Sequence, residues 1–282
     1  MQGAVGLTYS HSKSATGYRE GQGIEPMEPQ IKRSVNHKAL ESMNFGLATC
    51  RPTRWCLAHC YARGRSREDG VELGSTANSG PVTWPTQQAM YDANIVAAKV
   101  LYNKGNRALE RAAKKLADRQ RRVGRCNIRW NGVGDLFFEI IPLIAHIAAF
   151  GIKVWGFSRR PEKIHLLAET CKEWGVAEMP YFLGSVDPTT SHEETQLLVD
   201  ATQDLSGSPQ LAYATAQAGA AGCREVDAHP FREHFKVVFG YHTNRIKTPL
   251  GHVLECPSTG EPEEDVGGEG YCHTCRRCIG EF

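Results

Sequence analysis

The residues best able to do chemistry are the ten cysteines, and their placement is uneven. Seven stand in two groups, while Cys126, Cys171 and Cys223 are scattered. The first group is Cys50-Arg-Pro-Thr-Arg-Trp-Cys56-Leu-Ala-His-Cys60-Tyr61. The second is Cys256-Pro257, with Cys272-His-Thr-Cys275-Arg-Arg-Cys278 after it. In a reducing compartment cysteines serve metal ligation or catalysis rather than disulfides. The run Cys272, Cys275, Cys278 suits a cuboidal 4Fe–4S cluster, each thiolate on a different iron. Cys256-Pro257 supplies a remote fourth ligand, as in bacterial ferredoxins. Four cysteines would also satisfy zinc, which stands as the alternative at this C-terminal site. Cys50, Cys56 and Cys60 offer only three thiolates close together. Three ligands leave one iron of a 4Fe–4S cluster open for chemistry. Two other readings stay open: Cys126, Cys171 or Cys223 closes the site as a fourth ligand, or His59 completes a zinc site.

Elements must hold these groups, and the pattern along the chain supplies them. Residues 1–45 are polar and rich in Gly, Ser and His, and read as an N-terminal arm docked at its end by Met43, Phe45 and Leu47. Residues 85–103 read as a helix with apolar positions at Met90, Ala93, Val96, Ala97, Val100 and Leu101. A second helix over 106–122 carries Arg107, Arg111, Lys114, Lys115, Arg119, Arg121 and Arg122 against Glu110 and Asp118. Strands then alternate with helices: 126–130, 153–157, 181–186, 211–215 and 235–241 as strands; 137–150, 161–174 and 191–202 as helices. Ser191 with Glu194 forms a capping-box pattern. Such alternation means parallel βαβ units, in a partial barrel or an open doubly wound sheet. The chain divides into the arm, an α/β body over 46–255 and a cysteine-rich C-terminal extension over 256–282. That extension is poor in core-forming residues and needs a staple to order.

Composition bounds the function. With 282 residues, 41% hydrophobic and 23% charged, the chain has ample material for one large core. No apolar run reaches the ~18 residues of a membrane helix, and the N-terminus lacks a leader pattern, so a cytoplasmic protein without membrane contact is expected. A net charge of +2 does not by itself suggest nucleic acid. The basic helix 106–122 is the place where nucleic acid would bind, as an alternative to a merely solvated face.

Three cysteines with an aromatic beside the last, ahead of a βα series, resemble the radical S-adenosylmethionine (SAM) superfamily. The spacing here is five residues then three, where that superfamily has three then two. Gly132-Val-Gly134-Asp135 follows the strand ending at Trp130, where the superfamily places a Gly-Gly-Glu motif that binds the methionine amino group. Ser185-Val-Asp187 ends a later strand, where a polar residue often meets the ribose. Ser158-Arg159-Arg160 lies at another strand's carboxyl end, the edge where α/β ligands collect. Cys60-Tyr-Ala62, Trp-Asn-Gly-Val-Gly-Asp and Ser-Arg-Arg-Pro also resemble a phage and plasmid family called gene product 88, over roughly residues 45–190. The resemblance implies a partial (β/α) barrel of the radical-SAM type. It implies two 4Fe–4S clusters, SAM held by Gly132, Gly134, Asp135, Ser158 and Asp187, an electron donor as partner, and the cytoplasm of a host cell. Simpler roles compete: Gly132 and Gly134 as a tight turn, and Asp135, Ser158 and Asp187 as helix caps. His146, His165 and His229 read as structural or exposed.

Overall fold

The computed structural model describes residues 30–34, 42–59, 85–131, 134–215, 224–240 and 254–255. They form one sheet of eight strands in sequential order. Strand β1 (Arg33–Ser34) runs antiparallel to β2 (Ser42–Met43). From β2 onward each strand is parallel to the next: β3 (Asn127–Trp130), β4 (Lys153–Ser158), β5 (Tyr181–Val186), β6 (Leu211–Thr215), β7 (Phe235–Gly240) and β8 (Leu254–Glu255). A doubly wound sheet needs a reversal of strand order, and this order has none. The chain winds one way, with its helices as a contiguous layer.

Helix α1 (Arg54–His59), α2 (Pro85–Asn103) and α3 (Asn106–Arg122) lie between β2 and β3. Each later crossover up to β6 carries one helix: α4 (Ile141–Ala149), α5 (Pro161–Glu173) and α6 (His192–Ser206). In that layer α3 packs on α4, α4 on α5 and α5 on α6. Prolines open α4 and α5 within their first turn, where a missing N–H costs nothing. Ser191 caps α6 in a full capping box with Glu194. At Gly184 a Cβ would fall 2.8 Å from Leu211 Cδ2 and 2.9 Å from Leu198 Cβ, so a side chain there would push α6 off the sheet.

The period-two alternation of the strands divides two apolar clusters. Val154, Phe182, Val186, Leu211, Tyr213, Phe235 and Val238 face the helices and join the main core. Trp155, Tyr181, Leu183, Ala212 and Val237, with Phe157 against them, form a second cluster on the inner face.

Most elements fall where the pattern predicts them, with two corrections. In α2 the residues expected inside at Ala93, Val96 and Val100 face out, Val96 being 61% exposed. The buried stripe is Tyr91, Asn94, Ala97, Ala98 and Leu101. The polar Asn94 sets this rotation. Its Oδ1 accepts from Lys32 N at 2.7 Å, and its Nδ2 donates to the carbonyls of Lys32 and Asn44, both at 2.8 Å. A satisfied amide inside thus outweighs two valines outside. The sheet also reaches back to residues 33–43, within the stretch read as the arm, where two-residue strands leave no period to read.

Candidate functional site

The segment that carries Cys50 and Cys56 is laid across the carboxyl edge of the parallel sheet. After β2 the chain passes over the ends of β3, β4 and β5. Phe45, fully buried, packs against the rings of Trp130 and Phe137 at centroid distances of 5.7 and 5.1 Å. A short 3-10 turn over Leu47–Thr49 ends with Cys50 N–H donating to the Leu47 carbonyl at 3.0 Å. Thr49 Oγ1 accepts the backbone N–H of Asp135 at 2.8 Å. Gly134, at φ +88°, presses against this turn: a Cβ would lie 2.8 Å from both the Phe45 carbonyl and Thr49 Oγ1. Only glycine fits both that conformation and that approach.

Thr53 makes the second latch. Its hydroxyl donates to Asp187 Oδ2 at 2.5 Å and accepts Cys56 N–H at 3.0 Å. Trp55 N–H reaches Thr189 Oγ1 at 3.3 Å. Cys50 and Cys56 are both half-buried.

Under the loop lie two buried carboxyl groups. Asp135 Oδ1 accepts the Ser158 hydroxyl at 2.5 Å and the Leu136 N–H at 2.7 Å, and Oδ2 accepts the Arg159 N–H at 3.2 Å. Burial pushes its carboxyl up to about 6, against these hydrogen bonds and the Arg160 charge. Asp187 Oδ2 pairs with Arg159 Nη1 at 2.6 Å, and Oδ1 accepts from Thr189 N at 2.9 Å and Thr189 Oγ1 at 2.8 Å. Burial alone would raise Asp187, but Arg159 and these hydrogen-bond donors hold it below the usual carboxylate range. Arg159, beside Ser158 and paired with Asp187, joins the ends of β4 and β5.

Gly134, Asp135, Ser158 and Asp187 are therefore gathered at one edge with Cys50 and Cys56. None of the three polar residues caps a helix. Asp135 bonds the next residue's N–H, and the turn after it starts at Phe137 without a side-chain cap. Ser158 accepts from Arg160 N, and α5 also lacks a side-chain cap. Asp187 accepts from Thr189 N, while Ser191 caps α6. Of the three histidines singled out, His146 bonds Asn106 at 2.7 Å, His165 is exposed between Glu169 and Asp204, and His229 packs among Tyr213, Phe231 and Phe235.

The scattered cysteines stand elsewhere. Cys126 is exposed and precedes β3, at the opposite edge, on the order of 13 Å away along four strand residues. Cys171 is fully buried in α5, where burial pushes its thiol up to about 12. Neither is placed to close the Cys50–Cys56 site. Gly132, Cys60, Cys223, Cys256, Cys272, Cys275 and Cys278 lie outside the described residues. Among the described residues no group of three or more His, Cys, Asp or Glu is assembled for a metal, and no helix is long and apolar enough to cross a membrane.

Several edge residues escape sequence reasoning. Thr49 and Thr53 flank Cys50 but match no motif. Asn131 carries a weak signal: Asn before Gly tolerates left-handed backbone, and it sits at φ +56°.

Fold and edge together define an α/β protein that presents a cysteine loop at the carboxyl ends of parallel strands. The Gene product 88 family model matches residues 11–280, and the chain belongs to that family. Comparisons with curated proteins and with solved structures find no match.

Proposed function

We propose that this chain is an iron–sulfur protein acting as a radical-SAM-like enzyme. In this reading Cys50, Cys56 and Cys60 hold a 4Fe–4S cluster on a partial (β/α) barrel. Cys256, Cys272, Cys275 and Cys278 hold an auxiliary cluster, with zinc as its alternative occupant. The supporting observation is the double latch, Thr49 to Asp135 and Thr53 to Asp187, which fixes the cysteine loop over the ends of three consecutive strands. The donor chemistry fits a thiolate-held metal, since Cys50 and Cys56 stand on one short loop and are only partly buried.

Bound there, such a cluster with SAM would supply radical chemistry driven by one electron from a donor protein. The chain's own residues position and shield. Asp135 accepts from the Ser158 hydroxyl and the Arg159 N–H, and Arg159 is ion-paired with Asp187. Their work is to set the edge backbone and the loop, leaving the backbone at Gly134 to meet a ligand. The sequential sheet supplies an inner face walled by Trp155, Phe157 and Leu183.

Anaerobically purified protein is expected to contain about eight iron and eight sulfide per chain. SAM should shift the electron paramagnetic resonance spectrum of one cluster. Cys56→Ala should remove that cluster and leave the other. Zinc in place of iron at the first site would sink the proposal, and a spectrum indifferent to SAM would sink its enzymatic part. A second reading, a non-catalytic metalloprotein binding nucleic acid, draws on α3, whose seven cations are all exposed.

A further inference from the structure

Among the described residues, the inner face of the sheet carries a cation without a counter-ion. Arg129 on β3 is the register partner of Trp155 on β4. Its guanidinium carbon is 5.4 Å from the Trp155 ring centroid and 5.8 Å from that of Phe157. Ring faces attract a cation but offer no acceptor to its five N–H groups. Among the described residues no carboxylate pairs with Arg129, and its buried Nε has no hydrogen-bond partner.

Two neighbours share this condition. Trp155 is 3% exposed, and its buried indole N–H meets no acceptor among the described residues. Asn131, two residues beyond Arg129, is 5% exposed, with both Oδ1 and Nδ2 buried and unpartnered among the described residues. It does this from a left-handed backbone, itself a strained conformation. A buried polar group left unsatisfied destabilises the fold, so three such groups, on β3, on β4 and just past the end of β3, call for a partner. The group is rich in donors: Arg129, Trp155 and the Asn131 amide nitrogen against a single acceptor oxygen. The complement of such a set is an oxyanion.

We propose that Arg129, Asn131 and Trp155 form a binding site for a small organic molecule bearing a carboxylate or phosphate. Its apolar body lies along the inner-face side chains of Leu183 and Ala212. The site stands on these three residues whether or not a metal binds at the cysteine loop.

The test is a titration of the full chain, followed by intrinsic tryptophan fluorescence, with inorganic phosphate in one arm and benzoate in the other. A saturable change is expected in at least one arm, and the responding arm names the anion. Arg129→Gln should weaken it at least about tenfold. Asn131→Gly suits the positive φ, so it should fold as well as the wild type while binding at least about tenfold more weakly. Should Arg129→Gln fail to fold, Asn131→Gly decides the question. No saturable change in either arm, or an unchanged affinity in Asn131→Gly, would overturn the proposal.

Discussion

Burial raises the Asp135 carboxyl from 3.8 to about 6, although a hydroxyl, two backbone N–H groups and the Arg160 charge all pull it down. Between about pH 4 and pH 6 the folded chain therefore binds more protons than the unfolded one, and stability falls as pH rises. The full effect is about 3 kcal/mol. Asp135→Asn abolishes this titration. Its unfolding free energy, subtracted from that of the wild type at each pH, should give a difference that drops across this window. A flat difference would mean that the carboxyl titrates normally. Asp187 has the opposite sign. Held below the usual range, it contributes stability that is lost only as pH falls through its lowered pKa. Gly134 makes a separate prediction. Gly134→Ala meets the Phe45 carbonyl and the Thr49 hydroxyl at 2.8 Å from a strained backbone, which should cost about 2–4 kcal/mol in urea unfolding.

The segment from Thr49 to Cys56 is an element held from below rather than by its own packing. Thr53→Val removes both the bond to Asp187 and the one that Cys56 N–H donates. A loss of about 1–3 kcal/mol is expected, together with faster alkylation of Cys56 by iodoacetamide. Unchanged alkylation would show that the latch does not order the loop. This element also marks a limit of what sequence could tell. The spacing of Cys50, Cys56 and Cys60 raises metal ligation as an expectation, and Gly134-Asp135, Ser158 and Asp187 stand at expected strand ends. The threonines that join the two sets have ordinary surroundings in the chain, because the partners of a hydroxyl are chosen by folding. The helices were legible for the converse reason. Pro161 and the Ser191–Glu194 pair act locally, whereas the inward turn of Asn94 in α2 depends on backbone groups at Lys32 and Asn44.

Across the whole molecule, the βα rhythm predicts a parallel sheet, and the sequential strand order settles which kind. Strand order could not be read beforehand, since doubly wound and singly wound sheets share one alternation of elements. Charge is just as unevenly distributed. The chain carries +2, yet α3 alone sets seven cations against two carboxylates. Its surface pairs, Lys114–Asp118 at 2.6 Å and Arg121–Asp118 at 3.1 Å, are exposed and add little to stability. Arg119→Gln with Arg122→Gln should therefore change the unfolding free energy measured in urea by no more than about 0.5 kcal/mol. A larger loss would mean that this face covers another part of the chain. The Thr53–Asp187 latch has a further consequence, for it closes a separation of 134 residues. A ribosome releasing this chain exposes Cys50 and Cys56 long before Asp187 emerges to receive them. Through that interval the thiols are tethered to nothing that aims them. The loop therefore acquires its fixed position only after synthesis has passed β5, so its ordering is timed by the fold.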